Sequence, residues 1–194
     1  MMPLNKQYWE DRYKNNSTGW DLGIISTPIK EYVNQLENKN SKILIPGAGN
    51  AHEATYLVKN GFKNIFILDI ALSPLKFAKQ RSKLPEEHLI QQDFFDHKGS
   101  YDLIIEQTFF CALEPRFRES YVKKIHMLLR DQGCLIGVLF NFENNLSSPP
   151  FGGSINEYLN LFEPYFEIVT MEPCNNSVIE RQGKEIFIKL KKKK

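Results

Sequence analysis

Ile43-Leu44-Ile45-Pro46-Gly47-Ala48-Gly49-Asn50-Ala51-His52-Glu53, followed by Ile65-Phe66-Ile67-Leu68-Asp69, is the stretch that decides the fold. A short apolar run breaks into a glycine turn and an amphipathic segment, and a second apolar run ends on a carboxylate. That order predicts the strand–loop–helix–strand unit that wraps a nucleoside-bearing ligand. Gly47 and Gly49 let backbone N–H groups come close to the ligand. Asp69, at the end of the second strand, is placed to accept hydrogen bonds from ribose hydroxyls. Two glycines before a helix also occur in plain turns, and the acid at the next strand end is what raises the specificity. A dinucleotide fingerprint needs a third glycine at position 52, where this chain has His52. The pattern therefore points to a smaller ligand, with S-adenosylmethionine the leading candidate.

Outward from this unit the chain reads as alternating strands and helices. Pro28 suits the first turn of a helix carrying Ile29, Tyr32, Val33 and Leu36 at helical spacing. Strand one spans 42–46, and the helix after it carries Ala54, Leu57 and Val58 and stops at Gly61. Ser73 and Pro74 form an N-cap and first-turn pair for a helix to about Arg81. Short strands follow at 89–91 and 101–106, the latter apolar enough to be buried on both faces. A helix opens at Glu114-Pro115 with Tyr121, Ile125, Leu128 and Leu129 on its buried side. The run 131–133 ends that helix before a fifth strand at 134–140. The Asn-, Ser-, Pro- and Gly-rich stretch 141–153 reads as a long loop, and a short helix occupies 154–162. Strands at 166–171 and 185–190 lack a crossover helix between them, so they pair antiparallel. The expected fold is Rossmann-like α/β. It has a seven-stranded, mostly parallel sheet, a C-terminal antiparallel hairpin, helices on both faces and an N-terminal helical lid. The expected organisation is one domain over 1–194, with the lid segment at 1–40.

The 194 residues suit one domain with a sizeable core, and 42% hydrophobic with 25% charged residues is ordinary for a globular protein. A net charge of +2 makes no case for nucleic acid, and the basic run 189–194 reads as a solvated terminus. Cys111, Cys134 and Cys174 lack metal or disulfide spacing and fit reduced thiols in a cytoplasmic protein. No apolar run reaches membrane-spanning length, and the first residues, Met1-Met2-Pro3-Leu4, carry no long apolar segment.

Several blocks together resemble the thiopurine/thiol methyltransferase superfamily, a class I S-adenosylmethionine-dependent group, and most closely its thiol and halide branch. They are Trp9-Glu10-Asp11-Arg12-Tyr13, Trp20-Asp21-Leu22-Gly23, Thr27-Pro28, the glycine loop, Leu68-Asp69-Ile70 and Asp93-Phe94-Phe95. Further blocks are Tyr101-Asp102-Leu103-Ile104, Thr108-Phe109-Phe110-Cys111-Ala112-Leu113-Glu114-Pro115, Pro149-Pro150-Phe151, and the segment with Arg181 and Gly183. The resemblance runs from Trp9 to the C-terminus. It implies transfer of a methyl group from S-adenosylmethionine to a small soft nucleophile, a thiol, thiopurine or halide, by a monomer. It further implies that Trp9, Tyr13 and Trp20 close over the cofactor, where aromatic faces attract a sulfonium. Gly47 and Gly49 would meet the amino-acid end of the cofactor, Asp69 the ribose, and Asp93 with Phe94 the adenine. Gln107 would lie beside the transferred methyl, and Phe110, Phe151 and Arg181 would sit in the acceptor pocket.

Gln107 departs from the family, since the plant-like enzymes carry Tyr there, and that bears on acceptor preference rather than on cofactor. Ser148-Pro149-Pro150-Phe151 looks like an amino-methyltransferase signature, but it follows the fifth strand instead of the fourth, so it reads as a rigid lid loop. His52-Glu53-Ala54-Thr55-Tyr56 ends on Tyr where a zinc helix needs His, and no metal site is expected. Cys111 reads as a packed thiol. His88, His97 and His126 fall where strand edges and helix surfaces are expected, outside any acid–base constellation. Two other classes stay open on the residues alone, a nucleotide- or NAD(P)-binding oxidoreductase and a non-catalytic module of the same fold. The N-terminal aromatics and the intact loop acids weigh against both.

Overall fold

The computed structural model of the chain describes residues 4–143 and 147–194. Met1–Pro3 and the 144–146 part of the expected loop lie outside the described residues. Seven strands form one sheet in the order β3-β2-β1-β4-β5-β7-β6. They are β1 (Ile43–Pro46), β2 (Ile65–Asp69), β3 (Leu89–Gln91), β4 (Tyr101–Gln107), β5 (Leu129–Phe140), β6 (Phe166–Pro173) and β7 (Glu185–Lys192). The first five run parallel, and β7 inserts antiparallel between β5 and β6.

Period-two alternation divides the core between two helical layers. Ile43 and Ile45 of β1, Leu103 and Ile105 of β4, and Ile136 of β5 pack with α2 (Thr27–Asn34), α3 (His52–Lys59) and α4 (Leu72–Ser82). Leu44, Ile104, Leu135 and Leu139 face the other way, onto α5 (Arg118–Leu128) and α6 (Ile155–Phe162). Strands buried on both faces must read as continuous apolar runs, which is why β1 and β4 were visible in the sequence. The terminal pair is one-sided. Ile186, Ile188 and Leu190 join the α5/α6 core, while on the opposite face Lys189 extends over the ring of Tyr32.

Three local expectations are corrected. Helix α4 begins at Leu72 with Ala71 as its N-cap, and Ser73 lies inside the first turn, its hydroxyl bonded elsewhere. Residues 131–133 do not separate α5 from β5, because the strand starts at Leu129, paired with Tyr101, and crosses them through a register shift. Gln132 takes φ of 65° at that irregularity. Leu36 lies past the end of α2.

A buried acid joins the sheet to the segment after it. Glu106, wholly inaccessible, accepts the N–H groups of Phe109 (2.7 Å) and Phe110 (2.8 Å) on Oε1 and the Tyr121 hydroxyl (2.6 Å) on Oε2. Opposite it in β5 stands Gly137, where any Cβ would run into Glu106. Burial pushes the Glu106 carboxyl up to about 7, against these three hydrogen bonds. An unfolded glutamate titrates near about 4.3, so the folded chain holds the extra proton between those values. The stabilisation is complete below the unfolded value and fades as pH rises through about 7. Urea denaturation across this window should show falling stability, with a shallower fall in Glu106→Gln, which stays neutral. Glu106→Ala should lose about 2–4 kcal/mol at every pH, because two N–H groups and a hydroxyl lose their acceptor.

Candidate functional site

The carboxyl ends of β1, β2 and β4 open into a cavity of about 760 Å³ roofed by α1 (Lys6–Lys14) and the turn at Trp20. In open α/β sheets such a crevice is where ligands bind. Trp9, Tyr13, Trp20, Gly47, Gly49, Asp69, Asp93, Phe94, Gln107 and Arg181 all line it.

The floor is built by the glycine loop. Gly47 and Gly49 have φ of 57° and 50°, a region costly for other side chains. A Cβ at Gly47 would strike the Phe109 ring, and one at Gly49 would come within 3.0 Å of the Tyr13 hydroxyl. Asp69 fixes this loop by accepting Gly49 N–H on Oδ2 (3.1 Å) and Ala71 N–H on Oδ1 (2.9 Å). Its carboxyl is 6% exposed, and burial pushes it up to about 6 despite both bonds. Each oxygen keeps acceptor capacity beyond these bonds. Asp93 accepts the N–H of Phe95 (2.8 Å), and Phe94 stacks on Tyr121 at 5.4 Å while lining the cavity.

The roof is tied down by carboxylates that sequence reasoning missed. On α1, Trp9, Arg12 and Tyr13 share a face by i, i+3, i+4 spacing. Trp20 meets Trp9 (5.6 Å) and Tyr13 (5.8 Å) edge-on, and the Arg12 guanidinium lies over the Trp20 ring at 5.3 Å. Glu10 reaches from α1 to the start of α4, accepting the N–H groups of Leu72 (2.9 Å) and Ser73 (3.1 Å) and the Ser73 hydroxyl (2.5 Å). It thus caps α4 from a separate helix, satisfying N–H groups that have no partner inside it. Asp21 binds His52 Nε2 (2.7 Å), Asn50 Nδ2 and the Gly23 N–H (2.8 Å), joining the Trp20 turn to the glycine loop. Hydrogen bonding from His52 leads the causes that hold Asp21 well below the usual carboxylate range. Burial raises the nearby Glu53 carboxyl. Both Asp21 and His52 stood inside quoted motifs, but nothing in their spacing announced the pair, which spans 31 residues.

Two expected pocket residues lie elsewhere. Phe110 is 1% exposed and packs against Tyr121 (5.0 Å), Tyr158 and Phe162 in the core. Glu106 pins both N–H groups at 109–110, and it is Phe109 that lines the cavity. Phe151 is buried, its N–H bonded to the Cys111 carbonyl (2.8 Å), while Pro149 and Pro150 line the cavity instead. Arg181 is held by Glu185 (3.2 Å) and the Trp20 carbonyl (2.5 Å). Cys111 gives its thiol to the Thr108 carbonyl (3.3 Å), and burial with the Glu106 charge raises its pKa. His97, expected at the surface, is 5% exposed and bonded to Tyr101 (2.8 Å) and Gln92 (3.1 Å). Among the described residues no cluster could hold a metal ion, and no helix is long and apolar enough to cross a membrane.

Residues 4–193 match the family described as thiopurine S-methyltransferase. A probable thiol methyltransferase 2 of Arabidopsis thaliana is 29% identical over 191 residues, covering 95% of this chain and 84% of its own length. A thiopurine S-methyltransferase of Nitrosospira multiformis is 24% identical over 177 residues, covering 79% of each. Among solved structures, the 1,6-didemethyltoxoflavin-N1-methyltransferase of Burkholderia thailandensis, with S-adenosylhomocysteine bound, superposes with a TM-score of 0.77. It shares 14% identity over 97% of this chain and 87% of that one. Magnesium protoporphyrin IX methyltransferase of Synechocystis, also with S-adenosylhomocysteine, gives 0.71 at 13% identity over 97% and 99%.

The Glu10 bridge makes the roof separable from the floor. Burial opposes ionisation of Glu10, but the Ser73 and Leu72 donors and Lys14 hold it below the ordinary carboxylate range. Its contribution is therefore complete above the ordinary carboxylate value and is lost as pH falls from there through the lowered one. Glu10→Ala should speed amide hydrogen exchange across 6–14 by about tenfold, while exchange in β1 and β4 stays unchanged. Equal exchange in α1 of variant and wild type would show that other contacts hold the helix.

Proposed function

This chain belongs to the thiopurine S-methyltransferase family and uses S-adenosylmethionine, and on that premise we propose that it methylates a small soft nucleophile, a thiol or a halide-like anion. The observation that carries the reading is the cavity at the carboxyl ends of β1, β2 and β4. There a glycine loop, a strand-end carboxylate and three aromatic rings face one another.

The residues present fit the cofactor. At Gly49, with φ of 50°, a Cβ would come to 3.0 Å from the Tyr13 hydroxyl, and without one the backbone is free to meet the ligand there. In this reading Asp69 accepts from the ribose hydroxyls, Asp93 from the adenine amine, and Phe94 packs on the ring. Trp9, Tyr13 and Trp20 form a lid within the segment 1–40, shielding positive charge with ring faces. S-adenosylmethionine, when bound, supplies a methyl group already activated on a sulfonium. The protein's remaining work is to align the acceptor and exclude water. Among the described residues His52 is the histidine that lines the cavity, and it is engaged by Asp21. An acceptor that arrives ionised, a thiolate or a halide, would need no protein base. A net charge of +2 favours no nucleic-acid partner. We take the protein to act as a cytoplasmic monomer, one domain over its 194 residues, on a small molecule.

A screen of thiols, hydrosulfide, iodide and thiocyanate with labelled cofactor tests the acceptor class, and transfer to none of them would sink it. For the cofactor site, Asp69→Ala should weaken S-adenosylhomocysteine binding in calorimetry by about 2–4 kcal/mol, the range for lost charge-assisted bonds. Only the ionised carboxylate accepts from both hydroxyls, so wild-type affinity should decline as pH falls through about 6. A flat profile between pH of about 5 and 8 would remove Asp69 from the ribose role.

A further inference from the structure

Ser26 occupies the N-cap position of α2 with φ −64° and ψ 142°, yet its side chain makes no capping bond. A serine there ordinarily turns its oxygen back onto the first-turn N–H groups. Ser26, 2% exposed, instead donates its hydroxyl to Oε1 of Gln107 at 3.0 Å, 81 residues further along the chain. That bond occupies the carbonyl side of the amide. With the oxygen turned to Ser26, the opposite side of the amide is its NH₂, which carries donors and no acceptor.

Gln107 ends β4 and lines the cavity. The sheet order β2-β1-β4 puts Asp69 on one side of the glycine loop and Gln107 on the other. A cofactor whose ribose lies at Asp69 and whose chain crosses the loop therefore presents its far end toward Gln107. Two other groups near that end already have partners. Arg181 is bonded to Glu185 and the Trp20 carbonyl, and the Cys111 thiol to the Thr108 carbonyl.

We propose that Ser26 is a positioning residue that holds the Gln107 amide by its carbonyl oxygen, so that its NH₂ is the donor offered to an anionic methyl acceptor. The inference rests on the methyl-transfer reading and adds the pair of residues that receives the acceptor. A neutral amide orients an anion without pairing its charge, leaving its electron pair available for attack. Because the acceptor arrives as an anion, no proton has to leave it.

The test is calorimetric titration of thiocyanate into the S-adenosylhomocysteine complex. Ser26→Ala should weaken thiocyanate binding about tenfold, the effect of releasing an oriented bond to a charged group. S-adenosylhomocysteine affinity should change less than about twofold, and Ser26→Thr, which keeps the hydroxyl, should restore the anion. Gln107→Glu should abolish anion binding through like charge. In methyl-transfer assays Ser26→Ala should raise KM for thiocyanate. Unchanged thiocyanate affinity in Ser26→Ala would overturn the proposal, as would equal losses for thiocyanate and S-adenosylhomocysteine. Ser26-dependent binding without methyl transfer would uphold the positioning role and overturn the proposed acceptor class.

Discussion

The short parallel strands of the sheet centre end abruptly, and the N–H groups just past those ends need acceptors that water cannot supply. Asp69 answers this at β2, taking one N–H from the glycine loop and one from the start of α4. Glu106 answers it at β4, taking two N–H groups from the next turn and a hydroxyl from α5. Unmade hydrogen bonds at such depth cost about 1–3 kcal/mol each, so these two acids fix where the loops leave the sheet. The glycine loop and the Phe109 turn, which floor the cavity, hang from those exits. Burial makes both acids reluctant to ionise, with carboxyls pushed up to about 6 and about 7. The scaffold of the site thus carries a pH dependence of its own, in which ionisation works against the buried state.

A second layer of carboxylates attaches the roof. Glu10 and Asp21 are both near the surface of the cavity, and both are bonded to backbone or side chains of the floor. The aromatic group Trp9, Tyr13 and Trp20 is consequently positioned from two directions, by α1 at α4 and by the Trp20 turn at α3. Arg181 adds a third attachment through the Trp20 carbonyl. These are polar contacts with partial exposure, weaker individually than the core beneath them. A roof held this way can open without disturbing the sheet, which suits a cavity that must admit two reactants and exclude water.

The family supplies the chemistry, and the side chains of this molecule modulate it. The end of β4 carries Gln107 in contact with Ser26, and beside it Arg181, Glu185 and Cys111 are joined to one another or to backbone carbonyls.

The sequence by itself determined the sheet, the glycine loop and the acids at its rim. Those features are carried by local periodicity, by apolar runs fit for burial on both faces, and by glycine where φ must be positive. Membership of the methyltransferase family was equally visible, because its blocks are contiguous. Tertiary structure alone decided which of two adjacent phenylalanines, Phe109 or Phe110, faces the cavity, since the buried carboxylate of Glu106 sets the turn between them. It also decided that Ser26 serves Gln107 rather than its own helix, and that Glu10 rather than Ser73 caps α4. Hydrogen bonds spanning 62 or 81 residues leave no periodic trace in a single chain. Their partners become neighbours only when the strands stack in an order the chain itself does not follow.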